Sequence, residues 1–153
     1  SWQLANFRPS PSTRYFPSKA SRAAAKRAAR EGNSLEHRKL VASLPCAACG
    51  GRGDVVAHHL CGGRAKRHRG VGMKAPDSMT IPLCWEHHLG SSGVHNLGSR
   101  REAEWCADYD FDGEALAEAL YRQTGAYTRM LRVLEAHKPV LKLRETLANR
   151  YRP

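Results

Sequence analysis

The sequence predicts a small α+β domain. A two-stranded hairpin is stapled by a pair of zinc knuckles, with flanking helices and a basic, disordered N-terminal arm. Three observations predict it. Five cysteines and eight histidines occur in 153 residues, and most of them lie between positions 46 and 95. Two short runs rich in β-branched residues, Val55 to Leu60 and Thr80 to Leu83, sit inside that stretch. Capped amphipathic helical runs follow from residue 99 onward.

Taken in order, residues 1–33 read as an arm. Up to position 30 it carries Arg8, Arg14, Lys19, Arg22, Lys26, Arg27 and Arg30 and no acid. Prolines break its first half. Its Ala-rich second half, Ser18 to Glu31, has helical propensity but no apolar stripe to bury, with Gly32 as its stop. Ser34 is placed to cap a helix over Leu35 to Leu44, which Pro45 ends. The knuckle Cys46-Ala47-Ala48-Cys49 comes next, then the first strand, Val55 to Leu60. A Gly-rich basic loop separates it from Thr80-Ile81-Pro82-Leu83, where proline suits a sheet edge. Ser99-Arg100-Arg101-Glu102 has the capping-box pattern, which predicts a helix over Arg100 to Asp108. Asp112 caps a further helix with Gly125 as its C′ residue. Ala126 to His137 repeats apolar residues at helical spacing and Pro139 ends it; Val140 to Tyr151 is a last amphipathic segment. The expected division is an arm (1–33), a metal-stapled core (34–109) and a C-terminal helical segment packed on that core (110–153).

Composition narrows the function. Apolar residues make up 41% and aromatics 7%, so the core is small and gains from a staple. Twenty-five Lys and Arg against 14 Asp and Glu leave a formal charge of +11. Such a chain favours polyanions, nucleic acid before acidic membrane. No apolar run approaches the roughly 18 residues of a spanning helix, and no secretory signal is visible. An odd cysteine count with a C-x-x-C argues for metal in a reducing, cytoplasmic compartment rather than for disulfides. The first residue is Ser, which predicts a trimmed or processed start.

Cys46, Cys49, Cys84 and His87 form two knuckles, C-x-x-C and C-x-x-H, and together a Cys₃His set suited to tetrahedral zinc. The 34 residues between them leave room for the hairpin and its loop. Zinc binding can supply ~10 kcal/mol or more of folding free energy to so small a core. His58, His59, His88 and His95 are then left over. Neighbours in a strand face opposite sides, so one of His58 and His59 can bind metal while the other faces substrate. A second metal held by imidazoles, with positions left open, is the pattern of a catalytic site. Cys61 is an alternative ligand. Trp85 and Trp105 read as packing residues, and Cys106 as a buried helix residue.

The order C-x-x-C, His58-His59, Asp77, C-x-x-H-His88, His95 resembles the HNH, or ββα-metal, nucleases. The resemblance covers about residues 44–109 and is greatest to the phage recombination-enhancement branch, which acts with a RecA recombinase filament. It implies a ββα-metal core and a DNA endonuclease or nickase. It implies that His58, His88 and His95 hold the catalytic metal and that His59 is the general base. Asp77 stands near where the family has Asn, the residue that orients the catalytic histidine; an Asp would accept the imidazole N–H instead. The step from His88 to His95 is longer than in many members, and Asn96 is an alternative to His95. The resemblance also implies 5′-phosphate and 3′-hydroxyl ends and a catalytic Mg²⁺, Mn²⁺ or Zn²⁺, beside structural Zn²⁺. DNA, and a RecA–single-stranded DNA filament in a bacterial host, are the implied partners. Arg64, Lys66, Arg67, Arg69 and Lys74, in the loop between the strands, are the candidate phosphate contacts. The competing reading is a non-catalytic, zinc-stabilised basic DNA-binding module, which would not need the four remaining histidines.

Overall fold

The computed structural model describes residues 18–20, 22, 23, 32–63, 65 and 74–139. Most of the arm, the loop residues Arg64, Lys66, Arg67 and Arg69, and the segment 140–151 lie outside the described residues. What remains is a small α+β fold on a two-stranded sheet. Among the described residues no helix is long and apolar enough to cross a membrane.

Strands β1 (Val55–His59) and β2 (Thr80–Cys84) pair antiparallel, with Ala57 opposite Pro82 and His58 opposite Ile81. The Pro82 carbonyl accepts from Ala47 N at 2.8 Å, outside the ladder. The missing proline N–H therefore falls on the sheet's outer edge and costs no strand hydrogen bond. Leu60 N donates to Met79 O at 2.9 Å and extends the pairing by one residue.

Helix α1 (Leu35–Ser43) begins where the sequence places it, with the Ser34 hydroxyl accepting from His37 N at 3.1 Å. It packs on both strands through Val41, while Leu44 just beyond it is also buried. His37, in the first turn of this helix, is fully buried, with its Nδ1 2.8 Å from Thr124 Oγ1 and its ring edge-on to Tyr121. Burial holds its pKa below the usual imidazole value, opposed by the nearby Asp77 charge, so it packs as a neutral ring.

Beyond α1, the described residues form the helices α2 (Trp85–His88), α3 (Glu102–Asp108), α4 (Gly113–Arg122) and α5 (Tyr127–His137). Asp112 caps α4 by accepting from Ala115 N at 3.1 Å. Leu116 and Leu120 of α4 meet Met130 and Leu134 of α5, all fully buried, and α4 also packs on β2. Spacings of four residues put each pair on one helical face, and burying each such side chain stabilises by about 1.5–3 kcal/mol. Lys138, just past α5, is 3% exposed. Its ammonium donates to the carbonyls of Ala48 and Tyr109 and lies 5.5 Å from the Phe111 ring centre, tying the C-terminal helix to the first knuckle.

Three expectations are corrected. Ser99 to Glu102 is not a capping box: a 3-10 turn spans Ser99–Arg101, α3 starts at Glu102, and neither start has a side-chain cap bond. The Glu102 carboxylate is drawn instead to buried donors elsewhere, described below. Helix α4 ends with Gln123 and Thr124 amides donating to Leu120 and Tyr121 carbonyls, so Gly125, at φ +94°, falls beyond the C′ position. Trp85 is 59% exposed and not a packing residue, because it opens a four-residue helix whose outer side meets solvent. Trp105 is buried as expected and donates its indole N–H to Ser92 O at 3.1 Å.

The residues before α1 clamp the 3-10 turn Asp77–Met79 that leads into β2. Ser78 N donates to Gly32 O at 2.9 Å, and Asp77 N donates to Asn33 Oδ1 at 3.3 Å. A Cβ on Gly32 would lie 2.7 Å from Ser78 Oγ and 2.8 Å from Pro76 Cβ, so the close approach requires glycine. Gly32→Ala should therefore destabilise the protein by about 1–3 kcal/mol, the usual cost of overpacking. A urea melt with an unchanged midpoint would show that this segment can move away freely.

Candidate functional site

The first cluster is built where the knuckle docks on β2. Gly50 N donates back to Cys46 O at 2.7 Å and Cys46 N to Gly51 O at 2.8 Å, closing the turn that points both thiols one way. Cys84 ends β2, and the first turn of α2 carries His87 back over it. Cys49 Sγ and Cys84 Sγ are 3.8 Å apart; His87 Nδ1 is 3.2 Å from Cys84 Sγ and 3.9 Å from Cys46 Sγ. All four ligand atoms lie within 4.8 Å of one another and could hold a metal ion. Two sulfurs each about 2.3 Å from a tetrahedral ion would sit about 3.8 Å apart, so the spacing fits. Burial pushes the Cys46 thiol up to about 12, against the pull of nearby backbone amides. Its thiolate therefore needs a cation beside it. Burial lowers the His87 pKa, which leaves a neutral ring able to ligate.

The second cluster gathers His58 from β1, His88 from the end of α2 and His95 from the 3-10 turn Val94–Asn96. Their ring centres are 5.2, 5.2 and 4.7 Å apart, and the Nε2 atoms of His88 and His95 are 3.1 Å apart. One nitrogen from each ring falls within 4.8 Å of the others. Burial, then the neighbouring His58 and His95, push His88 down to about 4, and burial lowers His95 as well. Both are neutral imidazoles at cellular pH, the form that binds metal. The seven-residue step to His95 is spanned by a tight turn. Gly93 N donates to Gly90 O at 2.9 Å, and a Cβ on Gly93 would lie 2.7 Å from His88 O. Asn96 Nδ2 donates to Gly90 O at 2.7 Å and so braces that turn; it is His95 that joins the cluster.

Sequence reasoning missed Glu102. Its carboxylate is 6% exposed and accepts from His58 Nε2 at 2.9 Å, from Cys61 N at 2.8 Å and from Gly62 N at 3.0 Å. Burial acts to raise its pKa, but the His58 bond and the two amides outweigh it and the net shift is downward. The group is a buried carboxylate. His58, Cys61 and Glu102 form a second ligand-capable set, so Cys61, the sequence's alternative ligand, does lie near. His58, His95 and Glu102 line one cavity of about 220 Å³. No local pattern signals this role, since the partners lie 40 to 44 residues away.

His59 faces the other way. Its Nε2 is 2.8 Å from Asp77 Oδ1. A carboxylate only accepts, so Nε2 carries the proton and Nδ1 is the basic nitrogen. The other oxygen of Asp77 accepts from Ser34 N at 2.9 Å and lies 3.4 Å from Arg38 Nε. A cavity of about 530 Å³ opens here, lined by His59, Asp77, Lys74, Arg38 and the residues that start α1. The structure thus brings Asp77 and Lys74 to His59 and adds Arg38 and Ser34, which the sequence did not single out for this site. Arg64, Lys66, Arg67 and Arg69 lie outside the described residues.

A carboxylate behind a metal-binding imidazole typically governs metal affinity 10–100-fold. Glu102→Gln should therefore weaken Mn²⁺ binding at the His58, His88 and His95 cluster by about that factor in a calorimetric titration. Unchanged affinity would reduce Glu102 to an anchor for the Cys61 and Gly62 amides.

No curated protein and no solved structure matches the chain. One family model, described as Protein of unknown function (DUF968), matches residues 23–107, a span that holds both metal-capable clusters, His59 and Asp77. That span is more than half of the sequence, and the chain belongs to the DUF968 family.

Proposed function

We propose that the protein is a metal-dependent DNA endonuclease or nickase with an HNH-type ββα-metal core. One observation carries the reading. Adjacent residues of one strand diverge, His58 into a cluster of three imidazoles and His59 onto a cavity, backed by a carboxylate. A formal charge of +11 supplies attraction for the nucleic-acid backbone.

In this reading Cys46, Cys49, Cys84 and His87 hold a structural Zn²⁺, and His58, His88 and His95 hold a catalytic Mg²⁺, Mn²⁺ or Zn²⁺. A divalent ion at the second cluster supplies charge stabilisation for the phosphate and the leaving 3′-oxygen. His59 Nδ1 takes one proton from a water molecule. The resulting hydroxide attacks phosphorus, the bond to the 3′-oxygen breaks, that oxygen takes a proton from solvent water and leaves as a hydroxyl, and His59 returns its proton to solvent. The ends are a 5′-phosphate and a 3′-hydroxyl. Asp77 holds the His59 N–H, which keeps the ring in the tautomer that presents Nδ1. His88 and His95, kept neutral by burial, leave the bound ion its full charge. The HNH resemblance extends the proposal to a RecA–single-stranded DNA filament as partner and to action inside a bacterial host.

The non-catalytic DNA-binding module is favoured by one observation: His58 and His59 each have a carboxylate partner, which suits purely structural histidines too. Cleavage of supercoiled plasmid separates the two. His59→Ala should retain metal and DNA affinity yet lose roughly 10²–10⁴-fold in cleavage rate, the usual loss of a general base. His58→Ala should instead weaken metal binding, with partial rescue by excess Mn²⁺. Wild-type rates in both variants would leave only the binding module.

Structural zinc is tested separately. Cys46→Ser should lower the zinc content measured by atomic absorption and depress the melting temperature sharply, or abolish folding. Full zinc content with a wild-type melt would remove this cluster's assignment.

A further inference from the structure

We infer that the cavity on the His59 side is a phosphate subsite. Its ligands are Arg38 and Lys74, which grip a phosphodiester of the bound strand beside the one that is cleaved. The identity of the strand rests on the nuclease reading, while the charge and shape of the subsite do not.

The cavity, about 530 Å³, is lined by Asn33, Ser34, Leu35, Arg38, His59, Lys74, Ala75 and Asp77. Its carboxylate, Asp77, is engaged on both oxygens by His59 Nε2 and Ser34 N. Among the described residues, two cations and one anion line the space, a surplus of one positive charge, which matches the single negative charge a phosphodiester brings. Arg38 is built for that ligand. Its side chain is 43% exposed, and its Nε lies 3.4 Å from Asp77 Oδ2. Asp77 is its one anionic partner among the described residues. A guanidinium steadied at Nε keeps its two terminal nitrogens as a fork for phosphate oxygens. Lys74 is exposed on the same cavity and offers a point charge. Arg38 reaches this place because the segment before α1 is clamped to the Asp77 turn.

The test is the salt dependence of binding, which reads phosphate contacts directly. Fluorescence anisotropy of the full chain on a labelled DNA duplex, without added divalent metal, is measured across a NaCl series. Each phosphate contact adds about 0.9 to the slope of log K against log[salt]. Arg38→Gln and Lys74→Gln should each make the slope shallower by about that amount, and the double variant by about twice as much. Arg38→Lys should keep the slope and lose affinity, since the charge stays and the fork goes. Arg129→Gln, an exposed cation of α5 outside the cavity, should leave the slope unchanged. Thermal melts of all variants show whether each is folded.

An unchanged slope in Arg38→Gln overturns the subsite, as does an equal loss in Arg129→Gln or a wild-type chain that does not bind DNA. If Arg38→Gln slows cleavage at an unchanged slope, Arg38 acts through Asp77 and the subsite is likewise overturned. If the slopes change as stated but the wild-type chain cleaves nothing with Mg²⁺ or Mn²⁺, the subsite stands and the nuclease reading falls.

Discussion

The pairing of β1 with β2 decides which chemistry each histidine can reach. Side chains alternate along a strand, so a slip of one residue would exchange the faces of His58 and His59. The register is pinned from several sides. Pro82 has no N–H, and the observed pairing puts that gap on the outer edge; a one-residue slip would turn it into the ladder. Ala47 N bonds the Pro82 carbonyl from outside, and Ser78 N bonds Gly32 O just before the strand begins. A two-stranded sheet is marginal alone, and here the outer edge of β2 and the turn before it each have a tether.

The Cys–His cluster and the three-histidine cluster are mechanically one unit. His87 belongs to the first and His88 to the second, and both sit in the four residues of α2. Such a short helix has little stability of its own. Its position follows from Cys84 at its start and from the ring contacts of His87 with Tyr109 and Trp105. Whatever holds His87 also aims His88. The buried Lys138 extends the same unit to the C-terminal helices through the Ala48 carbonyl of the first knuckle.

What was legible in the sequence was local. The Ser34 and Asp112 caps, both strands and the two knuckles depend on neighbours within a few residues, and the structure places them within a residue or two of expectation. The divergence of His58 from His59 follows from strand periodicity alone. The roles that local pattern does not signal have distant partners. Glu102 fits a capping pattern, yet His58, Cys61 and Gly62 offer it buried donors that the Ser99 backbone cannot match. Gly32 reads as a helix stop, where the residues before it lie outside the described ones; its close approach to Pro76 and Ser78 is what no local pattern signals. Ser34 is both a cap and, through its own N–H, a ligand of Asp77 43 residues away. Trp85 follows a metal-ligand position in sequence, and nothing local says that a helix so short leaves its first side chain in solvent.

Two imidazole–carboxylate pairs now lie back to back across one strand, His58 with Glu102 and His59 with Asp77, at 2.9 and 2.8 Å. Pair geometry does not distinguish them; surroundings do. His58 is sealed, with a side chain 2% exposed, and two neutral imidazoles pack against it. Three imidazoles bring one nitrogen each within 4.8 Å of the others there, and neutral imidazole nitrogens bind metal, so that face suits a metal ion. The His59 side chain is 15% exposed and borders a cavity with a guanidinium and an ammonium on its walls. Cations lining an open cavity draw an anion together with its water, so that face suits substrate and proton transfer. The same residue type, one position apart, thereby meets two different surroundings, and the proposed reading assigns it two different tasks on that ground.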